Sequence, residues 1–271
     1  LGGGKRALAV IEKAPSMSDL AKIADVLKSH GWSAPAYIVV AMLRRLRACR
    51  TRKAIDRAED NRTVFSLIYE NRWWDAEGES ASGPGSTTAF TELFRSQFEK
   101  MIADKKIRTL FDAPCGDWNW MRNVKFTDEM TYIGADIVPE LVADLKHRFE
   151  APGRTFVRFD ITSDRFPAAD LWLCRDCLAH LSFADARRAL ENFCTSQIPY
   201  AALSSYIIPG ANVDIRSGGF REFDLTKAPF NLPPPEHAIN DWPDSDMVRK
   251  VGLWRREEIV AALASSLAHE N

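Results

Sequence analysis

Three aspartates close apolar, strand-like stretches in this chain: Asp112 in "KIRTLFD", Asp136 in "YIGADIV" and Asp160 in "FVRFDI". A carboxylate offers two acceptor oxygens and a ribose diol two donors, so the pair can meet face to face. Asp136 follows Asp112 by 24 positions, near the roughly 20-residue offset at which an acid meets a ribose in a nucleotide-binding βα unit. Asp160 is placed to accept from an adenine amino group, with Ile161 against the ring face. Asp112 discriminates between ligands: it would repel a pyrophosphate by about a few kcal/mol and attract an ammonium or sulfonium. The turn after it, "DAPCGDW", holds the single glycine Gly116, where a dinucleotide site wants three. A phosphate-free nucleoside cation such as S-adenosylmethionine fits these features. Each acid alone could merely cap its following turn; three in register favour a shared ligand.

A second cluster lies in "CRDCLAHLSF", residues 174 to 183. Methyl transfer from a sulfonium is an in-line displacement, and a hydroxyl nucleophile also needs a proton acceptor. His180 is the expected general base, a neutral imidazole being suited to that work. Asp176, four residues earlier and on the same side if the segment is helical, would orient it or touch the acceptor. A histidine packed on backbone is the plainer reading, and a divalent ion held by the pair would need more ligands than two. Cys174 and Cys177 form a C-x-x-C without the second pair that zinc requires, and are read as packing residues. No metal site is expected.

The loop "WWDAEGESASGPGST" offers Trp74, Glu79, Ser80, Ser82 and Gly83 as parts of a lid over cofactor and acceptor. Trp73, Trp74, Trp118 and Trp120 could stack on an acceptor ring, although burial is the commoner use of tryptophan. Arg216, Arg221 and Asp224 are lesser candidates for acceptor contacts.

Positioning such residues takes alternating elements. Strands are predicted at 107–112, 131–136, 155–160, 169–174 and 199–207, with helices from about 117, at 139–149 and at 183–193. The pattern implies an α/β fold, a Rossmann-like mostly parallel sheet with helices on both faces. Before it, "AFTELFRSQFEKMIADKK" places Phe90, Leu93, Phe94, Phe98, Met101 and Ile102 on one helical stripe. A proline-rich stretch follows the last strand, with a strand or hairpin expected near 219–225, a loop over the site and a final helix at "REEIVAALASSL". Residues 17–57 read as helices, so a helical extension over 1–65 would precede the main domain at 66–271.

The chain has 271 residues, 46% hydrophobic and 27% charged, room for one large domain with an extension. Net charge is -1, but residues 1 to 60 carry 12 Lys/Arg against 6 Asp/Glu. The basic run "RRLRACRTRK" could meet nucleic acid or lipid headgroups; lacking interleaved aromatics, it reads better as a solvated helix face. Five cysteines without a charged-then-apolar leader suggest reduced thiols in a cytoplasmic protein. The longest apolar run, "APAYIVVAML", is about half the roughly 20 residues that span a bilayer.

Asp112-Ala113-Pro114-Cys-Gly116, Asp136-Ile137, Asp160-Ile161 and Asp170-Leu-Trp-Leu-Cys174 resemble the successive motifs of class I S-adenosylmethionine-dependent methyltransferases, over roughly residues 66 to 210. The first motif departs from acid-x-Gly-x-Gly-x-Gly, with Pro114 and Trp118 at two glycine positions. More narrowly, "IYENRW", "ESASGPGS" and "LCRDCLAHLS" resemble small bacterial methyltransferases of sugar hydroxyls on glycans and lipo-oligosaccharides. The resemblance implies S-adenosylmethionine bound along Asp112, Ala113, Pro114, Gly116, Asp136, Ile137, Asp160 and Ile161, its methionine portion facing the backbone of Cys174 and Arg175. It also implies O-methylation of a small-molecule or glycan acceptor, with S-adenosylhomocysteine as product. N-methylation of a small amine, protein or RNA, and a cofactor-binding module without activity, stand as alternatives. The absence of an Asn/Asp-Pro-Pro-Tyr/Phe motif counts against a nucleobase target.

Overall fold

The computed structural model describes residues 34–127, 129–242 and 248–268; the helix expected to end at Gly31 lies outside them. The chain divides into two compact units, Leu1–Lys53 and Ala54–Asn271. The described part of the first belongs to α1 (Ala34–Arg57). Among the described residues no helix is long and apolar enough to cross a membrane.

In the second unit, α2 (Asn61–Glu70) starts where the Asp60 carboxylate accepts the Thr63 N–H at 2.9 Å, and it turns Val64 and Ile68 inward. α3 (Glu92–Asp104) buries Phe94, Phe98, Met101 and Ile102, but leaves Leu93, expected on the same stripe, 46% exposed. Strands and helices then alternate: β1 (Thr109–Asp112), β2 (Thr131–Asp136), α4 (Pro139–Phe149), β3 (Arg154–Arg158), β4 (Leu171–Cys174), α5 (Phe183–Cys194) and β5 (Tyr200–Ile207). The chain closes with β6 (His237–Trp242), β7 (Val248–Arg255) and α6 (Arg256–Ala268).

The sheet runs β3-β2-β1-β4-β5-β7-β6. The first five are parallel and β7 is antiparallel to both its neighbours. Successive side chains point to opposite faces, so Leu110 and Phe111 enter different cores. One core joins Phe111, Trp172 and Leu203 to Phe193 of α5 and Ile259 of α6. The other joins Leu110 and Leu171 to Phe98 of α3 and Leu145 of α4. Strand order reverses between β1 and β4, the switch point beside which such sheets bind ligands.

Two expectations are corrected. No α-helix begins near 117: Gly116 and Trp118 have φ of 54° and 57°, a left-handed backbone no helix accommodates, and only a 3₁₀ turn forms at Met121–Asn123. Trp118 takes that conformation to bury its ring against Phe149 and Arg154, at 4.9 and 4.7 Å. Nor is there a strand at 219–225. The hairpin lies further on, as β6 and β7, whose inward positions include the buried charges Asp241 and Arg249. Inward charges break the alternation by which a strand is read.

Candidate active site

A cavity of about 1050 Å³, its open mouth included, lies at the carboxyl ends of the parallel strands. Asn61, Phe65, Ile68 and Tyr69 of α2 line one side, and Trp74, Ala81, Ser82 and Ser86 of the following loop another.

At the end of β1, Pro114, Cys115 and Gly116 form part of the wall. Asp112 does not. It is 2% exposed, and its carboxyl accepts the Tyr132 hydroxyl at 2.6 Å. Burial pushes its pKa up to about 7 against that hydrogen bond. Ala113 is buried too, its carbonyl accepting the Trp172 indole N–H at 2.9 Å. Asp112 therefore serves the sheet, where direct attraction of a cation had been expected. Gly116 is needed for a neighbour: a Cβ there would stand 2.4 Å from Ser82 Oγ.

Asp136 and Ile137 line the cavity at the end of β2. The Asp136 oxygens accept the Gly116 N–H at 3.2 Å and the Val138 N–H at 3.1 Å. Each keeps a second lone pair. Burial raises this carboxyl to about 6, held back by those backbone donors. Asp160, beyond β3, lines the wall with Phe159 and Ile161. One of its oxygens caps the next turn, accepting Thr162 N–H and Oγ1–H at 2.8 and 2.6 Å.

Beyond β4, Cys174 is buried off the wall, whereas Arg175, Asp176, Cys177 and His180 are on it. Arg175 donates to Asp241 Oδ1 through Nε and Nη2 at 2.9 and 2.7 Å, and through Nη2 to the Gly85 carbonyl at 2.7 Å. The other oxygen of Asp241 lies 2.8 Å from Arg249 Nε, and Arg249 pairs through Nη1 with Asp176. These four side chains alternate in charge: Arg175, Asp241 and Arg249 are buried, while Asp176 at the end of the chain is 25% exposed. Burial works to raise Asp176, but the Arg249 and Arg175 guanidinium groups outweigh it and hold the carboxyl well below the usual range. The Tyr206 hydroxyl donates to its Oδ1 at 3.0 Å.

His180 ends a 3₁₀ turn at Leu178–His180, so a tight turn rather than a helix brings it to the same wall as Asp176. Its Nδ1 lies 2.7 Å from the Gly219 carbonyl. A carbonyl only accepts, so Nδ1 bears the proton and Nε2 the lone pair. Burial lowers the pKa of His180 and favours this neutral ring. Trp74 and Phe220 flank it at 4.6 and 5.4 Å between ring centroids. Asp176, whose oxygens serve Arg249 and Tyr206, does not orient the imidazole; Gly219 does.

The loop is fastened to the β1 turn. Ser80 Oγ and Ala81 N–H donate to Asp117 at 3.1 and 2.7 Å, and Ser82 Oγ accepts the Asp117 N–H at 2.9 Å. Glu79 accepts from Thr88 N–H and Asn119 Nδ2 at 2.6 and 3.2 Å. Glu79 and Ser80 thus hold the loop without lining the cavity, and Gly83 is off the wall as well, while Ser82 and Trp74 line it. Trp120 is on the wall and Trp118 in the core. Arg216, Arg221 and Asp224 are off the wall: Arg216 donates to Ala58 O at 2.6 Å, Arg221 lies buried 4.3 Å from the Phe223 ring, and Asp224 caps Thr226 at 2.9 Å. All five cysteines are free, and no cluster able to hold a metal occurs among the described residues.

Sequence reasoning missed Asp117, Asn119, Asp241, Arg249 and the α2 wall. Asp117 adjoins Gly116 and was within reach of the motif; Asp241 and Arg249 lie in a hairpin whose period the charges hide. The wall's carboxylates are Asp136, Asp160 and Asp176, and its Arg175 is committed to Asp241 and Gly85. This donor set suits a nucleoside without phosphate.

No family model matches the chain, and no curated protein matches it in sequence. Solved structures do resemble it. The 1,6-didemethyltoxoflavin-N1-methyltransferase of Burkholderia thailandensis, solved with S-adenosylhomocysteine, is 17% identical over 72% of this chain and 86% of its own, with a TM-score of 0.49. Human N-acetylserotonin methyltransferase in complex with S-adenosylmethionine is 15% identical over 72% and 69%, at 0.42. A bacterial CtHen1 methyltransferase domain is 11% identical, and the chain spans 66% of its length and 43% of its own, at 0.38. At these identities the likeness is one of fold alone. The fold itself is Rossmann-like: a mostly parallel seven-stranded sheet with helices on both faces.

Proposed function

We propose that the chain is an S-adenosylmethionine-dependent methyltransferase acting on the hydroxyl oxygen of a small acceptor, with a sugar unit of a bacterial glycan or lipo-oligosaccharide as the expected class. His180 carries this reading: the Nδ1–H bond to Gly219 leaves a basic Nε2 on the cavity wall. S-adenosylmethionine supplies an electrophilic methyl group. Asp136 would take the ribose hydroxyls, Asp160 the adenine amino group, and Ile137, Phe159 and Ile161 the ring faces. The turn at Pro114 and Gly116 and the backbone of Arg175 would hold the methionine portion. Asp176, kept ionised by its pairing with Arg249, lines the wall beside Arg175 and Cys177. The loop from Trp74 to Ser86 excludes water, which favours an in-line transfer.

Calorimetric titration with S-adenosylhomocysteine, followed by a screen of deoxysugars and glycan fragments, tests the reading. Binding followed by turnover supports it. Tight NAD or ATP binding with no response to S-adenosylhomocysteine would overturn it, and turnover confined to amines would replace oxygen with nitrogen. Activity surviving chelation would set aside a metal-assisted variant.

A further inference from the structure

The segment Arg216–Arg221 is not part of the cavity wall, yet four of its six residues are hydrogen-bonded to the stretch 179–185 that carries His180. The Gly218 N–H donates to His180 O at 2.8 Å, and the Arg221 N–H to Ala179 O at 3.1 Å. The Arg221 guanidinium donates to Leu181 O. Ser217 Oγ accepts the Ser182 N–H at 2.9 Å and donates to Asp185 at 2.5 Å. Between these bonds the Gly219 carbonyl meets His180 Nδ1.

Gly218 is the pivot of this clamp. Its φ of +90° is one that side chains rarely adopt, and a Cβ there would stand 2.5 Å from Val64 Cγ1 and 3.3 Å from Ile55 Cγ2. The Cα is thus wedged against α2, whose Asn61, Phe65 and Ile68 line the cavity, Ile68 lying 3.5 Å from the same Cβ position. In water a neutral imidazole prefers its proton on Nε2, the arrangement that would leave no acceptor there. The partner of the other nitrogen decides between the two.

We propose that Gly218 is a positioning residue for the methyl-transfer base: packed against Val64, it sets the Gly219 carbonyl so that His180 carries its proton on Nδ1 and presents the Nε2 lone pair. This deepens the reading of His180 given above, but it makes a claim about the ring that needs no acceptor.

Long-range ¹H–¹⁵N spectra of the full chain, with the His180 signals assigned by His180→Gln, read the tautomer directly. The wild type is expected to show the proton on Nδ1. Gly218→Ala, with its S-adenosylhomocysteine affinity retained, is expected to move the population towards Nε2–H and to lower kcat by about tenfold or more, with cofactor KM unchanged. Val64→Phe, which presses on the same Cα without altering the clamp's backbone, is expected to act in the same direction. A wild-type ring protonated on Nε2 would overturn the proposal, as would a folded Gly218→Ala with unchanged tautomer and kcat. If neither variant folds, the wild-type spectrum decides. A chain with the expected tautomer but no turnover on any acceptor leaves the clamp standing and removes the methyltransferase reading instead.

Discussion

At the scale of single residues, two aspartates that look alike in sequence do different work. Asp112 faces Tyr132 inside the sheet, while Asp136 faces the cavity. Asp112→Asn is therefore expected to leave S-adenosylhomocysteine affinity within about threefold, whereas Asp136→Asn weakens it about tenfold to a hundredfold, the usual cost of a charge-assisted hydrogen bond. Calorimetry separates the two. The pH dependence has a definite sign. Folding raises Asp112 from an ordinary 3.8 to about 7, so its contribution is fully present below about 4 and is lost as pH rises through 7. Asp112→Asn, which needs no charge, should raise Tm at pH 8 relative to the wild type by more than at pH 5, in paired thermal melts. For His180 the shift is downward, so kcat should hold below the ordinary histidine range and fall only as the ring becomes protonated; His180→Ala should cost about a hundredfold or more. The strand-end acids could be found in sequence because each closes an apolar run. Which way a carboxyl turns depends on Tyr132, a partner 20 positions away, and spacing does not report it.

At the scale of elements, the antiparallel hairpin matters more than its position at the end of the sheet suggests. β7 supplies Arg249 and β6 supplies Asp241, and between them they neutralise Asp176 and Arg175. Arg249→Met is expected to destabilise the fold by about 3–5 kcal/mol, since it strands carboxylates in a poorly solvated place; chemical denaturation measures it. The parallel strands were legible because each is a short apolar run between turns. β6 and β7 were not, since a buried ion pair and a surface charge are written with the same letters. The missing helix after β1 has a similar cause: the conformation of Trp118 is set by Phe149 and Arg154 on later elements.

Across the whole molecule, the doubly covered sheet and the place of its cavity followed from the alternation of elements, while the side that α2 contributes did not. The cavity wall offers carboxylates and no uncommitted cation among its described residues. S-adenosylhomocysteine at about a hundred times its Kd should accordingly stabilise the fold by about 2.7 kcal/mol, while NAD and ATP leave the melting curve where it was. The fit of Ser82 over Gly116 has a mechanical consequence. With less room between them than one methyl group needs, even the smallest side chain at position 116 must push the loop outward. Gly116→Ala should therefore prise that segment from the β1 turn, and limited proteolysis should cut residues 74–86 faster than in the wild type.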